Sequence, residues 1–124
     1  MNGSKILLDT NIVLFLINRD DVLAELIDNK IPYVSFITEM ELLSYDKYSA
    51  TDLLNIKSFL DDCHIVDMNS SIKQIAIKIR KTFKLKLPDS IIAATTEYLK
   101  IPMLTADADF NKLKSLRILQ YKKQ

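Results

Sequence analysis

Lys5-Ile6-Leu7-Leu8-Asp9-Thr10-Asn11-Ile12-Val13-Leu14-Phe15-Leu16-Ile17 is the stretch that decides the fold. A short apolar run bounded by polar residues reads as a strand buried on both faces, which is what a parallel sheet requires. Lys5–Leu8 is therefore expected to be a buried strand that turns at Asp9 into a buried helix over Asn11–Asn18. Asp9 and Asn11 interrupt the apolar run, which also falls short of the roughly 20 residues needed to span a bilayer. An acid within the apolar region, with no small-residue cleavage site after it, makes a poor signal peptide. A cytoplasmic setting without membrane association is the expectation.

Outward from this stretch, short apolar runs alternate with helical patterns. Asp20–Asp28 reads as a helix opening on acids that suit its dipole. Pro32–Phe36 reads as a strand, Thr38–Ser44 and Ser49–Asp61 as helices, and His64–Met68 as a third strand. Ser70 can cap the next helix, whose apolar positions Ile72, Ile75, Ala76, Ile79 and Phe83 keep the helical period. Leu87-Pro88 punctuates, Asp89–Leu99 reads as a buried helix, Met103–Thr105 as a fourth strand and Leu116–Leu119 as an edge strand. Strands alternating with helices predict an α/β fold, a three-layer α/β/α arrangement around a mostly parallel central sheet. At 124 residues the chain suits a single domain over 1–124 with a core that needs no disulfide.

Four acids, Asp9, Glu41, Asp89 and Asp107, follow an apolar run or stand near a helix start. In an open α/β sheet, ligands bind beyond the carboxyl ends of the strands. Carboxylates gathered there repel: two about 5 Å apart at an effective dielectric of about 20 cost roughly 3 kcal/mol. Protons or a divalent cation must neutralise such a group, and hard oxygen ligands select Mg²⁺ or Mn²⁺. Cys63 and His64 are the only residues of their types, which excludes a disulfide framework and a Cys/His zinc site. One glycine in the chain argues against a phosphate-cradling glycine loop.

Each acid has a plainer use. Asp9 can cap the helix that follows it, Asp89 can complement a first-turn dipole, Glu41 can be solvated and Asp107 can serve a turn. Only their occurrence as an ordered set argues for a shared site.

The surrounding residues resemble the motifs of PIN-domain nucleases. Leu7-Leu8-Asp9-Thr10-Asn11 is similar to the first motif, and Thr38-Glu39-Met40-Glu41-Leu42-Leu43 to the second. Leu87-Pro88-Asp89-Ser90-Ile91-Ile92-Ala93-Ala94-Thr95 resembles the third, and Leu104-Thr105-Ala106-Asp107-Ala108-Asp109-Phe110 the fourth. All four occur in family order over residues 5–119, most like the small bacterial VapC-type toxins. The resemblance implies a metal-dependent endoribonuclease that cleaves single-stranded or loop RNA, is held inactive by a cognate antitoxin and usually forms a homodimer. Matched by motif, Asp9, Glu41, Asp89 and Asp107 become the catalytic and metal-binding acids, with Thr10, Asn11 and Thr105 as polar companions. Asp107 is assigned because it stands two residues after Thr105, and Asp109 is the alternative fourth acid. Ser44 stands where many relatives have glycine, a small-for-small exchange. RNA hydrolysis without a protein nucleophile needs a hydroxide and relief of phosphate charge, both of which one or two Mg²⁺ or Mn²⁺ ions supply.

A net charge of +1 conceals an asymmetry. Residues 1–67 hold five Lys/Arg against twelve Asp/Glu, and residues 68–124 twelve Lys/Arg against four Asp/Glu. The basic half suits a phosphate backbone. Its helix presents Lys73, Lys78, Arg80, Lys81 and Lys84 away from the apolar stripe, and Lys73, Arg80, Lys81 and Lys84 are the candidates for contact with RNA. A solvated face is the commoner use of such a run. Tyr45 and Tyr48 can stack on bases or pack a dimer interface.

Two other functions compete. A Mg²⁺-binding phosphoacceptor receiver domain would want paired acids after the first strand, where Thr10-Asn11 stand, and would use Asp67 as acceptor. A non-catalytic RNA- or protein-binding module would keep the fold without the acids. Asn11 also removes the second acid that an Asp-x-Asp phosphatase needs.

Overall fold

A computed structural model describes residues 4–123. The chain runs β1 (Lys5–Leu8), α1 (Thr10–Ile17), α2 (Asp21–Leu26), β2 (Ile31–Ser35), α3 (Phe36–Ser44), α4 (Ala50–Asp61), β3 (His64–Val66), α5 (Ser70–Phe83), α6 (Leu87–Leu99), β4 (Met103–Thr105), a 3₁₀ turn (Ala108–Lys112) and β5 (Ile118–Gln120). The five strands form one sheet in the order β3-β2-β1-β4-β5, and every pairing is parallel. No helix among the described residues is long and apolar enough to cross a membrane.

The strand period of two divides β1 between the two faces of the sheet. Ile6 and Leu8 pack with Ile12, Val13, Leu23, Ile56 and Leu60 from α1, α2 and α4. Leu7 packs on the opposite face with Ile72, Ala76 and Ile79 of α5 and Ile92, Ala93 and Ala94 of α6. Met103 and Leu104 of β4 divide in the same way. Helices therefore cover both faces, the expected three-layer arrangement, and β1 is buried because both layers need it.

Connectivity places the site. β1, β2 and β3 follow one another toward one edge, and α5 and α6 carry the chain back across to β4 on the other side of β1. The order reverses between β1 and β4, the position at which open α/β sheets form a ligand crevice. This order also differs from the flavodoxin-like 2-1-3-4-5 arrangement of receiver domains. β3 is an edge strand, and Asp67 after it is exposed rather than central.

Most helix starts are held by the residues their chemistry favours. Asp9, Asp20, Ser35 and Ser49 each accept a backbone N–H from the following turn. The cap of α5 is Asn69, whose Oδ1 accepts the Ile72 N–H at 2.8 Å, and the expected cap, Ser70, is the first helical residue. An Asn one residue earlier reaches the same orphan amide, and Asn ranks with Ser as a cap. α6 begins at Leu87 rather than Asp89, with Pro88 in its first turn, where a missing N–H removes no helical bond. The last strand is Ile118–Gln120 rather than Leu116–Leu119, because Leu116 packs into the core from the loop before it.

Without glycine available, α5 and α6 end on lysines in the left-handed conformation, Lys84 at φ 61° and Lys100 at φ 57°. A side chain there costs about 1–2 kcal/mol, partly offset by the larger unfolded-state entropy of glycine. Lys100→Gly is expected to stabilise the protein by about 0.5–1 kcal/mol in urea unfolding. A loss of stability would show that the Lys100 side chain makes a contact that outweighs the strain.

Candidate active site

The parallel register aligns Leu8 with Leu104, so Asp9 and Thr105 leave the sheet side by side at the point where strand order reverses. The Asp9 N–H donates to the Leu104 carbonyl at 3.1 Å. The Asp9 side chain is 5% exposed, and both its oxygens are engaged. Oδ1 accepts from the Thr10 N–H at 2.7 Å and Oδ2 from the fully buried Thr105 hydroxyl, also at 2.7 Å. Thr105 Oγ1 in turn accepts from the Asp107 N–H at 3.0 Å. One hydroxyl thus couples the first acid to the backbone that carries the last.

Glu41 reaches the site from α3. Its Oε1 accepts from Thr10 Oγ1 at 2.7 Å, and the buried Thr38 hydroxyl lies 3.0 Å from the same Thr10 oxygen. Because Thr10 Oγ1 donates to Glu41, Thr38 is the donor of that second bond. Asp89 arrives in the first turn of α6, partly buried. Asp107 is partly buried, caps the 3₁₀ turn and accepts the Asp109 N–H on Oδ1 at 2.9 Å. Gln120 Nε2 on β5 donates to the Asp107 carbonyl at 2.9 Å and to Asn111 Oδ1 at 3.2 Å, which braces this turn.

The electrostatics join the four acids. Burial pushes the Asp89 carboxyl up to about 6, reinforced by the charges of Asp9, Asp107 and Glu41 and opposed by Lys86. Asp9 is also raised, first by burial and then by the charges of Asp107 and Glu41, against the lowering effect of its bonds from Thr105 and Thr10. Asp109 does not enter either environment. It is exposed, and its amide serves Asp107. Asn11 is exposed as well and makes no side-chain hydrogen bond to the acids among the described residues.

The plain capping roles and the clustered arrangement therefore coincide in the same side chains. Thr38 and Gln120 were not singled out for a role by sequence reasoning. Thr38 could have been, since it opens the second motif three residues before Glu41. Gln120 carries no sequence signal. Tyr45 and Tyr48 meet edge to face with centroids 4.7 Å apart, and with Thr10, Leu14, Glu41 and Leu42 they line a recess of about 320 Å³ beside the acids.

A carboxyl raised from its ordinary value to about 6 binds its proton more tightly in the folded than in the unfolded chain. Stability is therefore greatest at the acid end of the window from about pH 4 to 6 and falls as pH rises through it. Metal-free Asp89→Asn is expected to melt a few degrees above the parent at pH 7.5, about 1 kcal/mol after solvent screening, with the difference vanishing near pH 4. Equal melting temperatures at both pH values would show that Asp89 ionises without strain.

Residues 6–116 match the PIN domain family. No curated protein matches the chain. Among solved structures, it is similar to a toxin–antitoxin complex from Klebsiella pneumoniae at 25% identity and a TM-score of 0.82, covering 94% of this chain and 98% of that one. VapBC2 from Rickettsia felis, bound to a DNA fragment from its promoter, shares 20% identity at a TM-score of 0.81, covering 95% and 99%. FitAcB from Neisseria gonorrhoeae shares 20% at 0.76, covering 93% and 96%. The last two likenesses concern the fold. The family match covers most of the chain, from within the first strand to just before the last, and on it the chain belongs to the PIN domain family.

Proposed function

We propose that this protein is a Mg²⁺- or Mn²⁺-dependent endoribonuclease, the toxin of a toxin–antitoxin pair, acting in the cytoplasm as a homodimer on single-stranded or loop RNA. The observation that carries the reading is the meeting of Asp9, Glu41 and Asp107, tied through the Thr10 and Thr105 hydroxyls, with Asp89 close enough to feel their charges, at the reversal point of a PIN-domain sheet. A partner antitoxin is supported by solved relatives that are themselves toxin–antitoxin complexes.

The donor set fits a hard divalent cation, since all four groups are carboxylates whose repulsion a cation would relieve. Among the described residues no group of three or more His, Cys, Asp or Glu side chains is placed to hold a metal ion as it stands. A Mg²⁺ ion keeps several waters and takes only one or two carboxylates directly, so the acids would hold it in part through water. Asp9, Glu41, Asp89 and Asp107 would hold it, and when bound it supplies an acidified water and charge relief on the phosphate.

The chain's own residues prepare that site. The Thr105 hydroxyl and Thr10 amide fix both Asp9 oxygens, so the carboxylate cannot rotate out of the crevice. The Thr38–Thr10 relay holds Glu41, whose exposed side chain would otherwise sample solvent. Asp89 keeps a proton on its carboxyl up to about pH 6, so cation binding is coupled to proton release below that pH.

Purified protein is expected to cleave a panel of transfer and ribosomal RNAs only when Mg²⁺ or Mn²⁺ is supplied. Asp9→Asn is expected to lose at least about a hundredfold in rate while keeping its far-ultraviolet circular dichroism. Cleavage that persists in EDTA, or full activity in Asp9→Asn, would overturn the catalytic reading. Expression should arrest growth, and co-expression of a short protein encoded beside the gene should relieve it. An intact acid set without arrest would remove the toxin role alone.

A further inference from the structure

α5 carries its cations on two different flanks. Helical spacing places Lys73 and Arg80, at i and i+7, along one side of the stripe formed by the buried Ile72, Ala76 and Ile79, and Lys84, the C-cap, lies beside Arg80 at the end of that side. Lys78 lies on the other side, in a groove with Gln74, Ile75, Thr82 and Glu97. Lys81 points away from the stripe, between the two flanks. The first flank ends at the turn into α6, whose first turn carries Asp89.

Where it ends, the chain makes a tight left-handed turn at Lys84 and enters α6 at Leu87. The Arg80 guanidinium is tied across this turn, with Nη1 donating to the Leu85 carbonyl at 3.0 Å. Arg80, Lys84, Leu85 and Lys86 line an open recess of about 340 Å³. Lys86 stands three residues before Asp89, close enough for its charge to act on that carboxyl. Among the described residues none of Lys73, Arg80, Lys84 and Lys86 has an ion-pair partner, although the chain holds sixteen acids. Unneutralised cations set around a recess at the rim of an acidic crevice are arranged for an anion that the crevice itself would repel.

We infer that this flank, Lys73, Arg80 and Lys84 continued by Lys86, is a phosphate track that holds the RNA backbone next to the acid cluster, with the Arg80–Lys84–Lys86 recess seating the phosphate nearest the bond to be cut. The inference rests on the nuclease reading and assigns its substrate a direction of approach. Lys86, absent from the basic helix, is its essential addition. A guanidinium already fixed by one bond to Leu85 loses little further freedom when it takes a phosphate oxygen. Cations beside the crevice supply what the carboxylates cannot, attraction for a polyanion.

The test is the salt dependence of RNA binding, read by fluorescence anisotropy of a labelled single-stranded oligonucleotide in EDTA, where no cleavage occurs. Each phosphate contact contributes about 0.7 to the slope of log affinity against log salt for a single strand. Arg80→Gln and Lys86→Gln are each expected to lower the slope by about that amount and to weaken binding several-fold near physiological salt, whereas Lys78→Gln leaves both unchanged. Slopes unaltered in Arg80→Gln and Lys86→Gln, an equal loss in Lys78→Gln, or a parent protein that binds no RNA would each overturn the track. So would loss of poly-glutamate binding in these variants with the RNA slope intact, which would assign the recess to an acidic peptide. Cleavage with Mg²⁺ is read separately. Cleavage with unaltered slopes removes the track and leaves the nuclease, and lost slopes in a protein that never cleaves do the reverse.

Discussion

The bond from the Thr105 hydroxyl to Asp9 Oδ2 is the constraint on which the site depends. It spans 96 positions of sequence and exists only because β1 and β4 pair in parallel with Leu8 opposite Leu104. A shift of one residue in that register would turn Leu7 and Leu8 to the wrong faces, so burial on both sides specifies the pairing strongly. The core thus sets the register, the register sets Asp9 beside Thr105, and Thr105 positions the amide of Asp107. Glu41 is attached to the same point through Thr10, the residue after Asp9.

This arrangement sets stability against chemistry. Both Asp9 and Asp89 are raised, foremost by burial, and each feels the other acids. Hydrogen bonds from Thr105 and Thr10 offset part of the strain on Asp9. The buried hydroxyls on α6 do not add to the load, since Ser90, Thr95 and Thr96 each donate to a carbonyl of the preceding turn. Every buried polar side-chain atom among the described residues has a hydrogen-bond partner, so what remains at Asp9 and Asp89 is the burial and repulsion of their charges. Groups whose ionisation is strained in this way concentrate at functional sites.

Much of the architecture was legible because local and global signals agree. The apolar run at Lys5–Leu8, the helices read from Asp20 and from Ser49, and the stripe on α5 each specify one state. The departures came where several residues could do one job. Asn69 and Ser70 are both good caps, and backbone direction decided between them. Pro88 reads as a break, yet the first turn of a helix has no bond for it to break. The 3₁₀ turn at Ala108–Lys112 has no periodic signature, since it is held by Asp107, Gln120 and the single buried Phe110 rather than by a repeating apolar stripe.

Within the site, motifs pointed to the acids and favoured Asp107 by its spacing from Thr105, with Asp109 two residues on as the alternative. Asp107 is partly buried and its charge bears on Asp9 and Asp89, whereas Asp109 is exposed. Asn11 shares a motif with Asp9 but sits on the outer side of α1. Asp9, Glu41, Asp89 and Asp107 act together as one charged cluster, whose repulsion the proposed cation would relieve. Carboxyl ¹³C nuclear magnetic resonance of Asp89, titrated with and without Mg²⁺, tests it most directly. An apparent pKa of about 6 in metal-free protein that falls when Mg²⁺ is added is expected. An ordinary carboxylate value that Mg²⁺ does not move would contradict it.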